Sequence, residues 1–155
     1  MFFENYYAKI RSIVPRKEEK KEVVKEYCTL CLQYEFTQQF AGAMGEFPAA
    51  CYQALNAGEC WGARLPVPVE EVIAVFGEGE DSIQVKNIDT VAAVLKRPNA
   101  EDPNPMLTLT MNFGATDAQF IWFKDKLNQT VMVNLDKVQG ELFDNDEGKK
   151  KGRRK

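Results

Sequence analysis

The sequence contains no histidine among its 155 residues. Histidine is the usual general base near neutral pH and a common zinc ligand, so its absence excludes Ser-His-Asp and Cys-His catalytic arrangements. No apolar run reaches the length of a membrane-spanning helix, and residues 1–5 (MFFEN) lack the charged leader of a signal peptide. We therefore expect a cytoplasmic, non-enzymatic protein with no catalytic residue, no cofactor and no membrane contact.

The chain has four cysteines, Cys28, Cys31, Cys51 and Cys60. Cys28 and Cys31 have the two-residue gap of a zinc knuckle or redox pair, but the later spacings are too long for a second knuckle. In an alternating strand, Cys28 and Cys31 also point to opposite faces. Zinc stays open as the alternative, while the prediction is four reduced thiols that pack as small apolar residues and bind no metal.

The hydrophobic pattern predicts one α+β domain over residues 1–143. Two pseudo-repeated ββαβ units, about 5–69 and 80–138, are expected to form an antiparallel sheet with two helices packed on one face. Two alternating strands correspond most clearly: Leu30, Leu32, Tyr34 and Phe36 in the first unit, and Leu107, Leu109, Met111 and Phe113 in the second. The alternative is that hairpin, helix and strand follow one another in many unrelated folds.

The sequence also predicts where the strands, the loop and the helix of the first unit begin and end. A strand over 6–14 enters a charged loop at 16–21 (RKEEKK), and a helix spans 38–55 with an interruption at Pro48. Residues 61–69 form the closing strand, which Pro66 and Pro68 make irregular.

The second unit begins after a link at 70–76, which is predicted to be a short helix or strand. A bulged strand over 83–95 precedes a polar loop at 98–105. Thr116 is the predicted N-cap of the second helix, and 130–138 is the closing strand.

Residues 139–143 (QGELF) follow the last predicted strand. They resemble the bacterial sliding-clamp-binding pentapeptide, in which a glutamine, two variable positions, a leucine and an aromatic residue follow one another. Gln139, Leu142 and Phe143 occupy those positions, while Gly140 departs from the commoner apolar second residue. The resemblance implies that the glutamine contacts the rim of a pocket on the clamp and that the other two fill an apolar cleft. Alternatively, Leu142 and Phe143 extend the last strand and cap the core.

Residues 144–155 contain no hydrophobic residue and are predicted to form a disordered basic tail. The tail carries six cations: Lys149, Lys150, Lys151, Arg153, Arg154 and Lys155. Without them the formal net charge of −3 becomes −9 for residues 1–148. Such a tail binds nucleic-acid phosphates in a salt-dependent, sequence-independent way, or it serves only as a solubilising terminus.

The acidic body has a further interpretation. Its carboxylates are densest at Glu70, Glu71, Glu78, Glu80 and Asp81. An inhibitor of a DNA-binding or defence enzyme presents carboxylates where DNA phosphates would bind. The simpler explanation of this stretch is a solvated loop.

Taken together, the small acidic body, the missing histidine, the doubled pattern and the motif-bearing tail resemble accessory proteins from early or replication regions of bacteriophage genomes. The resemblance implies binding rather than catalysis. We predict a phage-type accessory or regulatory protein that acts by protein–protein binding, with a replication sliding clamp as the hypothesised partner. Nucleic-acid binding through the tail and inhibition through the acidic surface are the alternatives, and the pattern predicts no particular oligomeric state.

Overall fold

The computed structural model describes residues 3–97 and 104–137, excluding the side chains of residues 3, 4 and 137. Over these residues it contains three helices and a seven-stranded antiparallel sheet, which confirms the α+β class. The strands are β1 (Phe3–Lys20), β2 (Val23–Glu35), β3 (Gly62–Leu65), β4 (Val72–Glu78), β5 (Asp81–Lys96), β6 (Met106–Phe113) and β7 (Thr130–Lys137). The helices are α1 (Gln38–Met44), α2 (Glu46–Asn56) and α3 (Asp117–Asp125).

The sheet closes on itself. Successive pairings join β1 to β2, β2 to β6, β6 to β5, β5 to β4, β4 to β7 and β7 back to β1. The short strand β3 lies outside this ring, at one edge of β5. Alternate side chains point into the ring and form the apolar core, as Leu30, Leu109 and Val133 do. Among the described residues, unpaired edges therefore occur where a strand runs past its neighbour and along the outer side of β3.

Helices cover the two ends of the ring. Phe40 of α1 packs on Phe36 beyond the end of β2, with ring centroids 5.8 Å apart. Phe123 of α3 packs on Phe113 at the end of β6 and on Phe76, at 5.7 and 4.9 Å. Because β2 and β6 are antiparallel, these ends face opposite directions. The structure thus differs from the expected two helices on one face, since a helix reaches the interior of a closed sheet from its ends.

The prediction of a loop at 16–21 is wrong. β1 continues through this segment, and the chain reverses only at Lys21 and Glu22. Two pairs of opposite charge lie directly across the strands, Lys17 opposite Glu26 and Glu18 opposite Lys25. Cross-strand pairs of this kind stabilise a strand pair that has no apolar face. Strand β1 therefore continues through the charged segment to Lys20.

The helix predicted over 38–55 is two helices. Gly45, with φ of 131°, separates α1 from α2, in a backbone conformation that favours glycine. Pro48 lies in the first turn of α2, where a missing backbone N–H is tolerated. The helix is therefore interrupted as predicted, but at Gly45, three residues before Pro48.

The closing strand predicted at 61–69 is shorter than expected. It is limited to β3, because Pro66 and Pro68 follow directly and cannot donate to a ladder. The link at 70–76, predicted to be a short helix or strand, is strand β4, which pairs with both β5 and β7 inside the ring.

The second half agrees closely with prediction. In β5, Val85 and Ile88 are both buried and Asn87 has φ of 56°, which is the expected bulge and change of phase. Thr116 caps α3, and its side chain and that of Gln119 form a reciprocal capping box. The predicted strands at 107–113 and 130–138 match β6 and β7 to within one residue at each end.

Candidate functional site

β1 and β2 run past the closed ring as a two-stranded ribbon over residues 14–26, which we call the charged ribbon. The pairing of β1 with β7 ends at Lys9, and the pairing of β2 with β6 begins at Cys28. Within the described part of the chain, each ribbon strand pairs only with the other, so both outer edges carry unpaired backbone groups. Such edges are templates to which another chain adds a strand.

The charged ribbon combines balanced charge with exposed aliphatic side chains. Residues 14–26 contain five cations and four carboxylates, and every residue in the range is exposed. Val23 and Val24 at the tip are 66% and 49% exposed. Because consecutive strand residues point to opposite faces, the tip presents one valine on each face. A protein that binds the tip would bury the side chains of Val23 and Val24, with charged residues of both signs around them.

The turn of the charged ribbon has an unusual backbone. Lys21 and Glu22 both have positive φ, 47° and 69°. A two-residue hairpin turn that matches strand twist needs this conformation and favours Asn-Gly there. Lysine and glutamate adopt it at a cost in strain, and such strain is concentrated at functional sites.

A groove of about 430 Å³ lies between the base of the charged ribbon and α3. Pro15, Tyr27 and Cys28 line one side, and Ala115 and Phe120 line the other. Burial raises the pKa of the Cys28 thiol, which keeps it protonated and unreactive near neutral pH. The charged residues Arg16, Lys17, Glu26 and Asp117 also line the groove, so it is a recess of mixed polar and apolar character beside the ribbon.

The acidic turn between β4 and β5 makes contacts within the protein. Tyr7 Oη donates to Glu78 Oε2 at 3.1 Å, which raises the pKa of the tyrosine. Lys126 Nζ donates to Asp81 Oδ2 at 2.6 Å, and Trp122 Nε1 donates to Asp81 Oδ1 at 3.0 Å. The hydrogen bond from Lys126 has the larger effect and the one from Trp122 adds to it, and together they hold the pKa of Asp81 below its ordinary value. Of the carboxylates proposed to imitate DNA phosphates, Asp81 is thus partly neutralised by Lys126, and Glu78 is engaged in a hydrogen bond within the protein.

The four cysteines are free thiols. As alternation predicts, Cys28 is buried inside the ring, while Cys31 faces outward and is partly exposed. Burial raises the pKa of Cys31 and Cys51 as well. Over residues 3–97 and 104–137, no three His, Cys, Asp or Glu side chains form a group that could hold a metal ion.

An exposed aromatic residue lies at the outer edge of the sheet. The side chain of Trp61, which precedes β3, is 80% exposed. The guanidinium carbon of Arg97 lies 4.1 Å from the centroid of its ring, and the backbone N–H of Arg97 donates to the Trp61 carbonyl. Tryptophan is highly buried on average in folded proteins, whereas this side chain leaves most of its apolar area in water.

The residues predicted to bind partners fall beyond the described part of the structure. The last described strand, β7, ends at Lys137. Gln139, Leu142 and Phe143 lie outside the described residues, and so does the whole basic tail with its six cations. Their roles stay predictions from the sequence.

No protein family model, no curated protein and no solved structure matches this chain. Among the described residues, none of the helices has the length and apolar character needed to cross a membrane.

Sequence reasoning missed the charged ribbon, although the signal was present. Lys17 and Glu26, and likewise Glu18 and Lys25, are placed symmetrically about residues 21 and 22. Opposite charges at mirrored distances from a two-residue turn indicate a hairpin. The turn itself was not recognisable, because Lys21-Glu22 lacks the usual turn residues.

Proposed function

We propose that this chain is a small cytoplasmic accessory or regulatory protein of the bacteriophage type, which acts by protein–protein binding without catalysis. The charged ribbon is its principal partner-binding element. The observation that carries this proposal is a ribbon over residues 14–26 that has two unpaired edges and exposed valines at its tip. A monomer gains little from extending such an arm into solvent, whereas a partner gains backbone hydrogen bonds and apolar contact.

A site-specific photo-crosslinker tests this role. Placed at Val23 in the native cell, it should form covalent adducts with another protein. The matched control is Ile121, which is equally exposed at 66% but lies on α3. Adducts of the same identity and yield from both positions would contradict a specific role for the ribbon.

Docking on a replication sliding clamp through Gln139, Leu142 and Phe143 is the specific partner hypothesis. It is supported by the resemblance of these residues to the clamp-binding pentapeptide and by the start of the pentapeptide at Gln139, two residues after the end of β7. The purified clamp should bind the full chain, and Leu142→Ala with Phe143→Ala should abolish that binding because both apolar anchors are lost. Undiminished binding by the double variant removes the motif and leaves the ribbon proposal standing.

Two alternatives are kept as proposals. Sequence-independent nucleic-acid binding through the basic tail predicts that deletion of residues 149–155 removes most of the salt dependence of single-strand affinity. Inhibition of a host DNA-binding or defence enzyme predicts a complex disrupted by charge reversal at Glu78, Glu80 and Asp81. The internal contacts of Glu78 and Asp81 make the second alternative weaker.

We also propose that the chain contains an internal pseudo-repeat, in which β1–β2 corresponds to β5–β6 and α3 to the helices after β2. Support comes from the pairing of β2 with β6, where Leu32 lies opposite Leu109. These two residues are also counterparts in the sequence pattern, so a pseudo-two-fold axis through this pair exchanges the two hairpins. In this arrangement the strand equivalent to β7 is β4 rather than β3, since β4 and β7 each pair with the first strand of the opposite unit.

A further inference from the structure

The charges of the charged ribbon are divided between its two faces. Residues that lie opposite each other share a face, and so do residues two apart on one strand. One face therefore carries three cross-strand pairs, which are Arg16 with Tyr27, Glu18 with Lys25, and Lys20 with Val23. We call it the outer face, because Cys28 on the opposite face is buried inside the ring.

The outer face is basic, whereas the opposite face has more carboxylates than cations. Three cations stand against one carboxylate on the outer face, namely Arg16, Lys20 and Lys25 against Glu18. The opposite face carries Lys17 against Glu19 and Glu26. All of these side chains are exposed. A ligand of the outer face is therefore expected to be acidic.

A recess lies on the outer face at the tip of the ribbon. It has a volume of about 450 Å³ and is lined by Glu18, Lys20, Lys21, Val23 and Lys25. Lys21 of the turn adds a further cation, and Val23, which is 66% exposed, provides the apolar surface. Nucleic-acid phosphates would satisfy the lysines but would leave Val23 without an apolar contact. The recess therefore favours an acidic segment that also carries an apolar side chain.

Residues 141–147 (ELFDNDE) of this chain have that composition. They contain four carboxylates, no cation and two adjacent apolar residues, Leu142 and Phe143. They lie outside the described residues, and the last described strand ends at Lys137, opposite Val72 at the start of β4.

The segment is long enough to reach the ribbon from that point. β5 and β6 separate β4 from β2, which amounts to three strand spacings or about 14 Å. Ten extended residues after Lys137 span about 33 Å. A cleft of about 320 Å³ connects the two places, since Glu71, which precedes β4, and Lys25 of the ribbon both line it. The carboxylates of this cleft, Glu71 and Asp89, would be passed by residues 138–140, which are uncharged.

We propose that residues 141–147 bind the outer face of the charged ribbon in the same molecule. Phe143 enters the recess beside Val23, and the carboxylates of the segment contact the surrounding lysines. The contact covers one face only, so both edges of the ribbon and Val24 on the opposite face stay open to a partner.

The regulatory consequence of this contact rests on the proposed function. While the contact is made, Val23 and the clamp-motif residues Leu142 and Phe143 cover each other. A partner that needs either element must first displace the other, which lowers its apparent affinity. The contact itself is tested on the purified chain alone, so its failure leaves partner binding through the ribbon standing, and failure to find a partner leaves the contact standing.

The test places a benzophenone photo-crosslinker at position 143 of the purified full-length protein and maps the adducts by mass spectrometry. At low salt we expect intramolecular adducts at residues 18, 20, 23 and 25 of the outer face. Lys20→Gln with Lys25→Gln should lower their yield about fourfold, since each exposed contact between opposite charges contributes about a factor of two. The matched control is Lys17→Gln with Lys86→Gln, which removes two exposed cations from the opposite face and from β5 and should change the yield little.

Four outcomes would overturn the proposal. The first is adducts at residues 17, 19, 24 and 26 as often as on the outer face. The second is adducts that join two copies of the chain, which would make the contact intermolecular. The third is an equal loss of yield in both double variants, which would show that only overall charge matters. The fourth is no adduct on the ribbon together with oligothymidylate binding that Lys20→Gln with Lys25→Gln weakens, which would assign the face to nucleic acid.

Discussion

Leu32 and Leu109 lie directly opposite each other where β2 pairs with β6, and neither side chain is exposed to solvent. The pairs on either side follow the same rule, since Leu30 lies opposite Met111 and Tyr34 opposite Leu107. All six side chains point into the closed sheet and are buried. The contact between the two alternating strands of the sequence pattern is therefore the centre of the apolar core.

Truncation at this centre should be costly. Leu109→Ala should lower the free energy of unfolding by about 2–5 kcal/mol, because it removes a buried side chain and leaves a cavity. The neighbouring Thr108 faces outward and is partly exposed, so Thr108→Ala should cost less than about 1 kcal/mol. Urea denaturation of both variants measures the difference, and similar losses would mean that the register places the wrong face inside.

The ion pair between Asp81 and Lys126 predicts a pH-dependent stability. Because the folded protein holds the pKa of Asp81 below the ordinary value of 3.8, the stabilisation is present above that value and is lost as the pH falls through the folded pKa. Asp81→Asn should therefore lower the melting temperature at neutral pH and have no effect in strong acid.

Glu80 provides the control for this prediction, because it lies in the same turn and is exposed. Glu80→Gln should leave the melting temperature nearly unchanged across the same pH range. The effect of Asp81→Asn should also decrease at high salt, since the pair lies at the surface. A constant difference between wild type and Asp81→Asn at every pH would show that the loss has another origin.

The turn of the charged ribbon should tolerate a better turn sequence. Lys21→Asn with Glu22→Gly replaces two residues at positive φ by the pair that favours this conformation. Hydrogen exchange should become slower in residues 14–26, because the ribbon opens less often. Faster or unchanged exchange in the double variant would indicate that the turn is not strained.

Much of the fold was predictable from local patterns. Alternation placed β6 and β7, the change of phase in β5 predicted its bulge, and Thr116 marked the start of α3. The closure of the sheet was not predictable, because no short segment encodes which strands become neighbours. Charge density was misleading at 16–21, where cross-strand pairing outweighs the tendency of polar residues to form loops.

The candidate sites were less accessible to sequence reasoning. The charged ribbon depends on where β6 and β7 stop, which is a tertiary property. Trp61 is exposed and stacked with Arg97, from which it is separated by 35 residues of sequence. Only the pairing of β3 with β5 brings these two residues together.

The most direct test of the proposed function is quantitative affinity purification of the full-length protein from its native cell. The double variant Val23→Glu, Val24→Lys removes the apolar side chains of the tip and keeps the net charge. Each new side chain faces a residue of the other sign across the strands, because residue 23 pairs with Lys20 and residue 24 with Glu19. Our account predicts that a partner retained by the wild type is lost from this variant and is retained by Ile121→Gln, the equally exposed control on α3. Equal retention of the same partners by all three proteins, or no retained partner for the wild type, would contradict it.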